Sequence, residues 1–270
     1  ANTILVVDEI QKVPNWSKVV KGLWDKQTRE SKNKLRVILL GSSSLGIQRG
    51  LSESLTGRYE LITVSHWTYS QSKKIHKFSL DDYLNFGGYP GSYEFISEPK
   101  RWWTYLKNSI VDTVITKDIL NDVRVKSPAL FKQAFEILCQ YPAQEISYNK
   151  LLGQIQDKGN VDLIKNYIEL YAGAYLITAL EKYSEKAVVK KSSSPKILPL
   201  CPSLVTFATG FIESSEQKGR LFELAVAMEL YRLPGDLYYW RDGKFELDFV
   251  YKLGKNLFAI EVKSGSKKSP

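Results

Sequence analysis

Cysteine, histidine and methionine are nearly missing from this 270-residue chain, at two, two and one residue respectively. Cys139 and Cys201 lie far apart and make no metal-ligand spacing. They exclude a disulfide scaffold and fit a reducing cytoplasm, where the protein is expected to reside. His66 and His76 are too few for a His-rich zinc site. No apolar run approaches the ~20 residues that cross a bilayer, so no membrane partner is expected. No secretory signal pattern is visible. The phosphate-binding pattern Gly-x-x-x-x-Gly-Lys-Ser/Thr does not occur anywhere in the chain. Without its backbone amides and its lysine, nothing here cradles the β- and γ-phosphates of a nucleotide.

What is present is ordinary globular chemistry, with 43% hydrophobic and 25% charged residues. The length suggests about two domains, at roughly 100–200 residues each. Thirty-eight Lys and Arg against 29 Asp and Glu give a net charge of +9. That excess is compatible with a polyanionic partner and equally with a protein that meets none. The single Met is Met228, and Ala1-Asn2-Thr3 leads directly into Ile4-Leu5-Val6-Val7. Four apolar residues in a row read as a buried strand. A central parallel strand rarely opens a domain, so further sequence upstream is expected.

Pro14 and Asn15 precede a helix with Trp16, Val19, Val20, Leu23 and Trp24 on its apolar side. Residues 35–40 form a second apolar strand, followed by Gly41-Ser42-Ser43-Ser44. Strand, helix and strand without a hairpin signal make a βαβ unit with parallel strands. Residues 59–64 read as a third strand, and residues 80–125 as helices broken at Gly87-Gly88-Tyr89-Pro90-Gly91. Three amphipathic helices follow between 128 and about 173, then a strand at 175–180. That is the order of a winged helix-turn-helix. Lys186 to Lys196 reads as a solvated wing tip or a linker. A long helix at about 216–232 and strands near 237–240, 245–252 and 257–263 complete the chain.

Two constellations carry chemistry. In the first, the strand ending in Asp8-Glu9 delivers two carboxylates to the carboxyl edge of a parallel sheet, where ligands bind. This is the Walker B pattern. The Asp holds Mg²⁺, usually through water, and the Glu polarises the attacking water. The simpler role is a pair of solvated carboxylates at a strand end. In the second, Glu246-Leu247-Asp248-Phe249-Val250 and Ala259-Ile260-Glu261-Val262-Lys263 flank a Gly254-Lys255-Asn256 turn. A turn centred between Gly254 and Lys255 sets Asp248 opposite Glu261, and alternation puts Glu261 and Lys263 on one face. Glu223, on the preceding helix, adds a third carboxylate from the side. Such acids hold Mg²⁺ for phosphodiester cleavage while the lysine orients water or meets developing charge. A cross-strand ion pair on a solvated face is the bland role.

The first constellation resembles the carboxyl-terminal half of an AAA+ ATPase core. Its segments are similar to a bacterial and archaeal branch that reads Asp-Glu-Ile-Gln after one strand, Gly-Ser-Ser-Ser after the next, and later Gly-Arg. The resemblance implies Ser42 and Ser43 beside the γ-phosphate and Arg58 as a nucleotide-sensing or inter-subunit arginine. A structural salt bridge is the other role open to Arg58. Ser65-His66-Trp67-Thr68-Tyr69-Ser70-Gln71 lacks the Pro and Glu of that branch and receives no function. Family members carry the phosphate loop before Walker B, which agrees with missing upstream sequence.

The second constellation resembles the PD-(D/E)XK nuclease fold through Glu223, Asp248, Glu261 and Lys263. Asn85-Phe86-Gly87-Gly88-Tyr89-Pro90 and Thr116-Lys117-Asp118-Ile119 also fit the branch, so the resemblance spans nearly the whole chain. It implies an α/β fold in which an ATPase core fragment (1–78) precedes a helical lid or linker (79–125). A winged helix (126–190) and a nuclease-like αβ region (191–270) follow. It implies ATP and Mg²⁺ in the full-length protein, with Glu9 catalytic and Asp8 at the metal. At the nuclease-like site it implies Mg²⁺ or Mn²⁺ on Glu223, Asp248 and Glu261. DNA or RNA is the implied partner, through Lys186, Lys190, Lys191 and Lys196. The third helix of the winged region offers Lys158, Lys165 and Asn166 but also Asp157, Asp162 and Glu169, so it is no basic stripe. The expected function is an ATPase acting on nucleic acid. The alternative is a DNA-binding or regulatory protein whose nuclease-like region is a non-catalytic scaffold. Oligomeric state stays open.

Overall fold

The structure is a computed structural model. It describes residues 3–30, 35–41, 55–120, 123, 125–155, 160–184 and 193–265. The fold is α/β and divides into two compact units, residues 1–64 with 114–124, and residues 65–113 with 125–270. Among the described residues no helix is long and apolar enough to cross a membrane.

In the first unit, β1 (Ile4–Val7) and β2 (Arg36–Leu39) pair in parallel, joined through the helix α1 (Trp16–Glu30). This is the expected βαβ unit. Ile10, Trp16 and Leu55 form its small core, with Val7, Val20 and Leu39 against them. The burial expected for β1 is not found. Ile4, Leu5 and Val6 are 46–54% exposed, because among the described residues β1 has one ladder partner and its side chains alternate between two faces. Val19, Leu23 and Trp24 are exposed too, so the inward face of α1 narrows to Trp16 and Val20. Residues 59–64 form no strand. They find no ladder partner among the described residues, and Leu61, Ile62 and Val64 stay exposed.

The second unit opens with α2 (Tyr69–His76) and α3 (Leu80–Phe86). Thr68 and Ser79 close capping boxes that satisfy the first backbone amides of each helix. The helix α4 (Pro99–Tyr105) runs on into a π-helical turn at Leu106–Val111. Trp102 is fully buried, and Trp103 stacks on Phe207 with centroids 5.3 Å apart, so both aromatics pack within the fold.

Next come α5 (Pro128–Cys139), β3 (Gln144–Glu145), α6 (Tyr148–Gln154), α7 (Val161–Gly173), β4 (Ile177–Leu180) and β5 (Lys196–Pro199). The three strands make an antiparallel sheet in the order β3-β5-β4. The helices α8 (Pro202–Thr209) and α9 (Ser215–Tyr231) lead to a second antiparallel sheet of β6 (Asp236–Asp242), β7 (Phe245–Leu253) and β8 (Asn256–Ile260). One core joins the helices to both sheets, from Leu84 through Leu180, Leu198, Leu221, Leu224 and Met228 to Tyr239 and Phe249. The sheets are stitched directly as well. Tyr239 accepts the Tyr183 N–H at 2.6 Å and donates its own N–H to the Glu181 carbonyl at 3.2 Å.

Candidate functional site

At the carboxyl end of β1, Asp8 is exposed and Glu9 half-buried. Glu9 adopts a left-handed backbone, φ 52 and ψ 40, which turns the chain sharply off the strand. Its N–H donates to Asp8 Oδ1 at 2.9 Å. Its Oε2 accepts the Gln11 amide at 2.9 Å and lies 3.1 Å from Lys12 Nζ. Ile10 is buried and anchors the turn. The Ile10 N–H reaches the Leu40 carbonyl at 3.1 Å, and the Leu40 N–H reaches the Val7 carbonyl at 2.8 Å. The two strand ends are thereby clamped side by side, Asp8-Glu9 against Leu40-Gly41. Ser42 and Ser43, which follow at once, lie outside the described residues. Arg58 Nε sits 3.3 Å from Asp25 Oδ1, with both side chains about one-third exposed, and Nη1 donates to the Thr56 carbonyl at 3.3 Å. The exposed Asp8 carboxylate offers oxygen acceptors of the kind a hydrated Mg²⁺ takes.

The second cluster gathers on α9, β5 and β7. Ser214 caps α9 through a box with Gln217, and Leu221, Leu224, Ala227 and Met228 bury its inner face. Glu223 lies on the flank of that face. The β7–β8 ladder pairs Leu253 with Asn256 and Phe249 with Ile260 around a two-residue turn at Gly254, φ 61. This is the register the sequence predicts. One step further it would bring Asp248 opposite Glu261. The ladder ends first: Asp248 Oδ2 accepts the Val262 N–H at 2.6 Å, and Glu261 pairs with Lys263.

Lys196 departs from the expectation of a solvated wing tip. It opens β5 at 8% exposure, and its Nζ lies 2.7 Å from Glu223 Oε1 and 3.1 Å from the Asp248 carbonyl oxygen. Burial pushes the Glu223 carboxyl above its usual range. Lys196 pulls it back, and Asp248 and Glu246 add a further upward push. The hydrogen bond to Glu261 and the Glu261 charge raise the Lys263 ammonium above its usual range, and the Asp248 and Glu246 charges add to this. Among the described residues, no three His, Cys, Asp or Glu side chains gather so as to hold a metal ion. The metal set expected from Glu223, Asp248 and Glu261 therefore does not fit this arrangement, because Lys196 holds Glu223 and Lys263 holds Glu261.

Sequence reasoning missed the pairing of Lys196 with Glu223. One signal was available: Lys196 directly precedes the apolar run Ile197-Leu198-Pro199-Leu200, where a lysine must be buried or end the strand. Lys186, Lys190 and Lys191 lie outside the described residues, as does Lys158. Lys165 on α7 sits 5.2 Å over the Tyr148 ring.

Comparison with known proteins divides the chain in three. Residues 77–215 match a family described as a domain of unknown function, DUF8612. Residues 1–73 match an AAA domain, and residues 218–270 match a second domain of unknown function, DUF4143. The chain is 27% identical to the uncharacterized protein MJ1544 of Methanocaldococcus jannaschii over 96% of its length and 60% of that protein's. It is 26% identical to the uncharacterized protein Rv2008c of Mycobacterium tuberculosis over 98% and 60%, respectively. An uncharacterized protein of Haemophilus influenzae is 22% identical over 95% of this chain and 64% of its own. The chain thus spans under two-thirds of the length of these relatives. No solved structure matches.

Proposed function

The chain belongs to the DUF8612 family, and from that footing we propose that the protein works as an AAA-type ATPase acting on nucleic acid, with Asp8 and Glu9 at its nucleotide site. The observation that carries this is the clamped pair of parallel strand ends, Asp8-Glu9 beside Leu40-Gly41, within a segment that matches an AAA domain. Asp8 would hold the metal, and Glu9 would orient the attacking water. Bound Mg²⁺ would neutralise charge developing on the transferred phosphoryl group. Ser42, Ser43 and Arg58 are the further nucleotide-side residues. The phosphate cradle is not among these 270 residues. The activity is therefore proposed for the full-length protein.

Within this reading, residues 1–78 belong to the ATPase core and 79–125 form a helical lid or linker. Residues 126–190 form a winged helix, supported by the order helix, strand, helix, helix and ribbon from α5 to β5. Residues 191–270 take a nuclease-like fold, and Lys186, Lys190 and Lys191 meet phosphates. A second reading of that last region is a non-catalytic scaffold. It is favoured by the engagement of Asp248 with the Val262 N–H and of Glu261 with Lys263.

The test is ATP hydrolysis by the full-length protein. Glu9→Gln should abolish turnover while nucleotide binding persists. A full-length protein without ATPase activity overturns the reading. For nucleic acid, the expected result is duplex binding that weakens steeply with salt, with a shallower slope when Lys186, Lys190 and Lys191 become Ala.

A further inference from the structure

A lysine is seldom as buried as Lys196 without a partner. Its ammonium has three. Glu223 Oε1 on α9 is 2.7 Å away, the Asp248 carbonyl oxygen on β7 is 3.1 Å away, and the Phe249 ring centroid is 4.9 Å away. A carboxylate, a main-chain oxygen and a ring face are all electron-rich, the first supplied by α9 and the other two by β7. We propose that the Lys196 ammonium is a built-in cation that takes up the Glu223 carboxylate, which would otherwise join Asp248 in holding a divalent metal ion. The site then binds no metal, and the Glu223 carboxylate and the Asp248 carbonyl, held by Lys196, lock β5, α9 and β7 together.

The neighbouring groups agree. Asp248 Oδ2 is taken up by the Val262 N–H at 2.6 Å, and Glu261 by Lys263. Mg²⁺ demands near-octahedral oxygen coordination at about 2.0–2.1 Å. An ammonium with three donors is satisfied by far less: one carboxylate and one carbonyl occupy two of them, and the ring takes charge through its face. The inference rests on the scaffold reading of residues 191–270 and is independent of the ATPase reading.

The experiment is a Mn²⁺ titration of the chain followed by electron paramagnetic resonance. Asp8→Asn and Glu9→Gln form the background, so that the other acidic pair contributes nothing. Millimolar Mn²⁺ should leave this protein without a bound ion. Lys196→Ala should gain one bound Mn²⁺, and Lys196→Ala with Glu223→Gln should lose it again. Lys196→Ala should also melt lower by on the order of 5–10 °C, since a buried carboxylate loses its partner. Mn²⁺ should return a few degrees of that. The neutral pair Lys196→Met with Glu223→Gln should melt close to the parent with or without metal. The inference is overturned if the parent binds Mn²⁺ and Glu223→Gln abolishes that binding, a comparison that needs no Lys196 variant to fold. A folded Lys196→Ala protein that gains no Mn²⁺ also overturns it. Metal-dependent DNA cleavage lost in Asp248→Ala would overturn the scaffold reading and the inference with it, whereas Mn²⁺ binding lost in Glu223→Gln without any cleavage would overturn the inference alone, which separates the two failures.

Discussion

Gly88 donates its backbone N–H to the Cys201 sulfur at 3.1 Å, across 113 positions of sequence. The contact explains why the chain carries Gly87-Gly88-Tyr89-Pro90 between α3 and α4. The Gly88 carbonyl accepts the Trp67 N–H at 2.9 Å, and a Cβ on Gly88 would stand 2.2 Å from the Trp67 carbonyl oxygen. Beside it, Gly87 has φ 66, and a Cβ there would meet Cys201 Sγ at 2.6 Å and the Ser203 backbone nitrogen at 2.7 Å. Three strands of chain meet where only glycine leaves room.

Gly88→Ala should therefore destabilise by about 2–3 kcal/mol, because the new methyl meets backbone that cannot rotate away. Thermal melting should fall by on the order of 5–10 °C. A melting point unchanged from wild type would refute the close approach.

His66 makes stability pH-dependent. Its ring meets Tyr89 edge to face at 4.6 Å, and its carbonyl accepts Arg232 Nη2 at 3.2 Å. Burial, reinforced by the Arg232 charge, lowers its pKa from 6.5 to about 4. As pH falls below about 6.5 the unfolded chain takes up a proton that the folded chain refuses. Stability is thus fully present above pH 6.5 and declines towards pH 4, by roughly 2–3 kcal/mol from this group. Denaturant melts at pH 7 and pH 4.5 should show the loss, and His66→Gln should shrink it.

Ser214 holds the first turn of α9, the helix that carries Glu223. Its hydroxyl oxygen accepts the Gln217 N–H at 3.1 Å. Ser214→Ala should cost about 1 kcal/mol. Hydrogen exchange should quicken at residues 215–218 and stay slow around Leu224.

Arg58→Ala distinguishes two roles. The Asp25 pair is partly solvated, so stability should change by less than about 1 kcal/mol. If Arg58 senses nucleotide, hydrolysis by the full-length protein should fall at unchanged stability. Unchanged hydrolysis would leave Arg58 a structural partner of Asp25.

Local patterns were legible in the sequence wherever a residue's role depends on near neighbours. The strand–helix–strand at 4–39 and the Gly254-Lys255 turn follow from periodicity and backbone preference. The β7–β8 register followed from that turn, because a two-residue hairpin leaves no freedom in pairing. Burial of β1 did not follow. An apolar run specifies a strand that suits burial, but whether its faces are covered depends on what packs against it, and Ile4–Val6 are exposed. Residues 59–64 failed as a strand for a related reason, since a strand exists only through its partner.

The sequence by itself determined the element order, the parallel pair that ends in Asp8-Glu9, and the placing of acids near Asp248. Each of these is encoded by side-chain spacing along one stretch of chain. Only the tertiary structure decided what those acids do. A carboxylate's chemistry depends on the charge that faces it, and for Glu223 that charge comes from Lys196, 27 residues away on another element. The +9 excess told by how much cations outnumber anions in the chain. Folding decided that one of them is buried against an acid rather than offered to a partner.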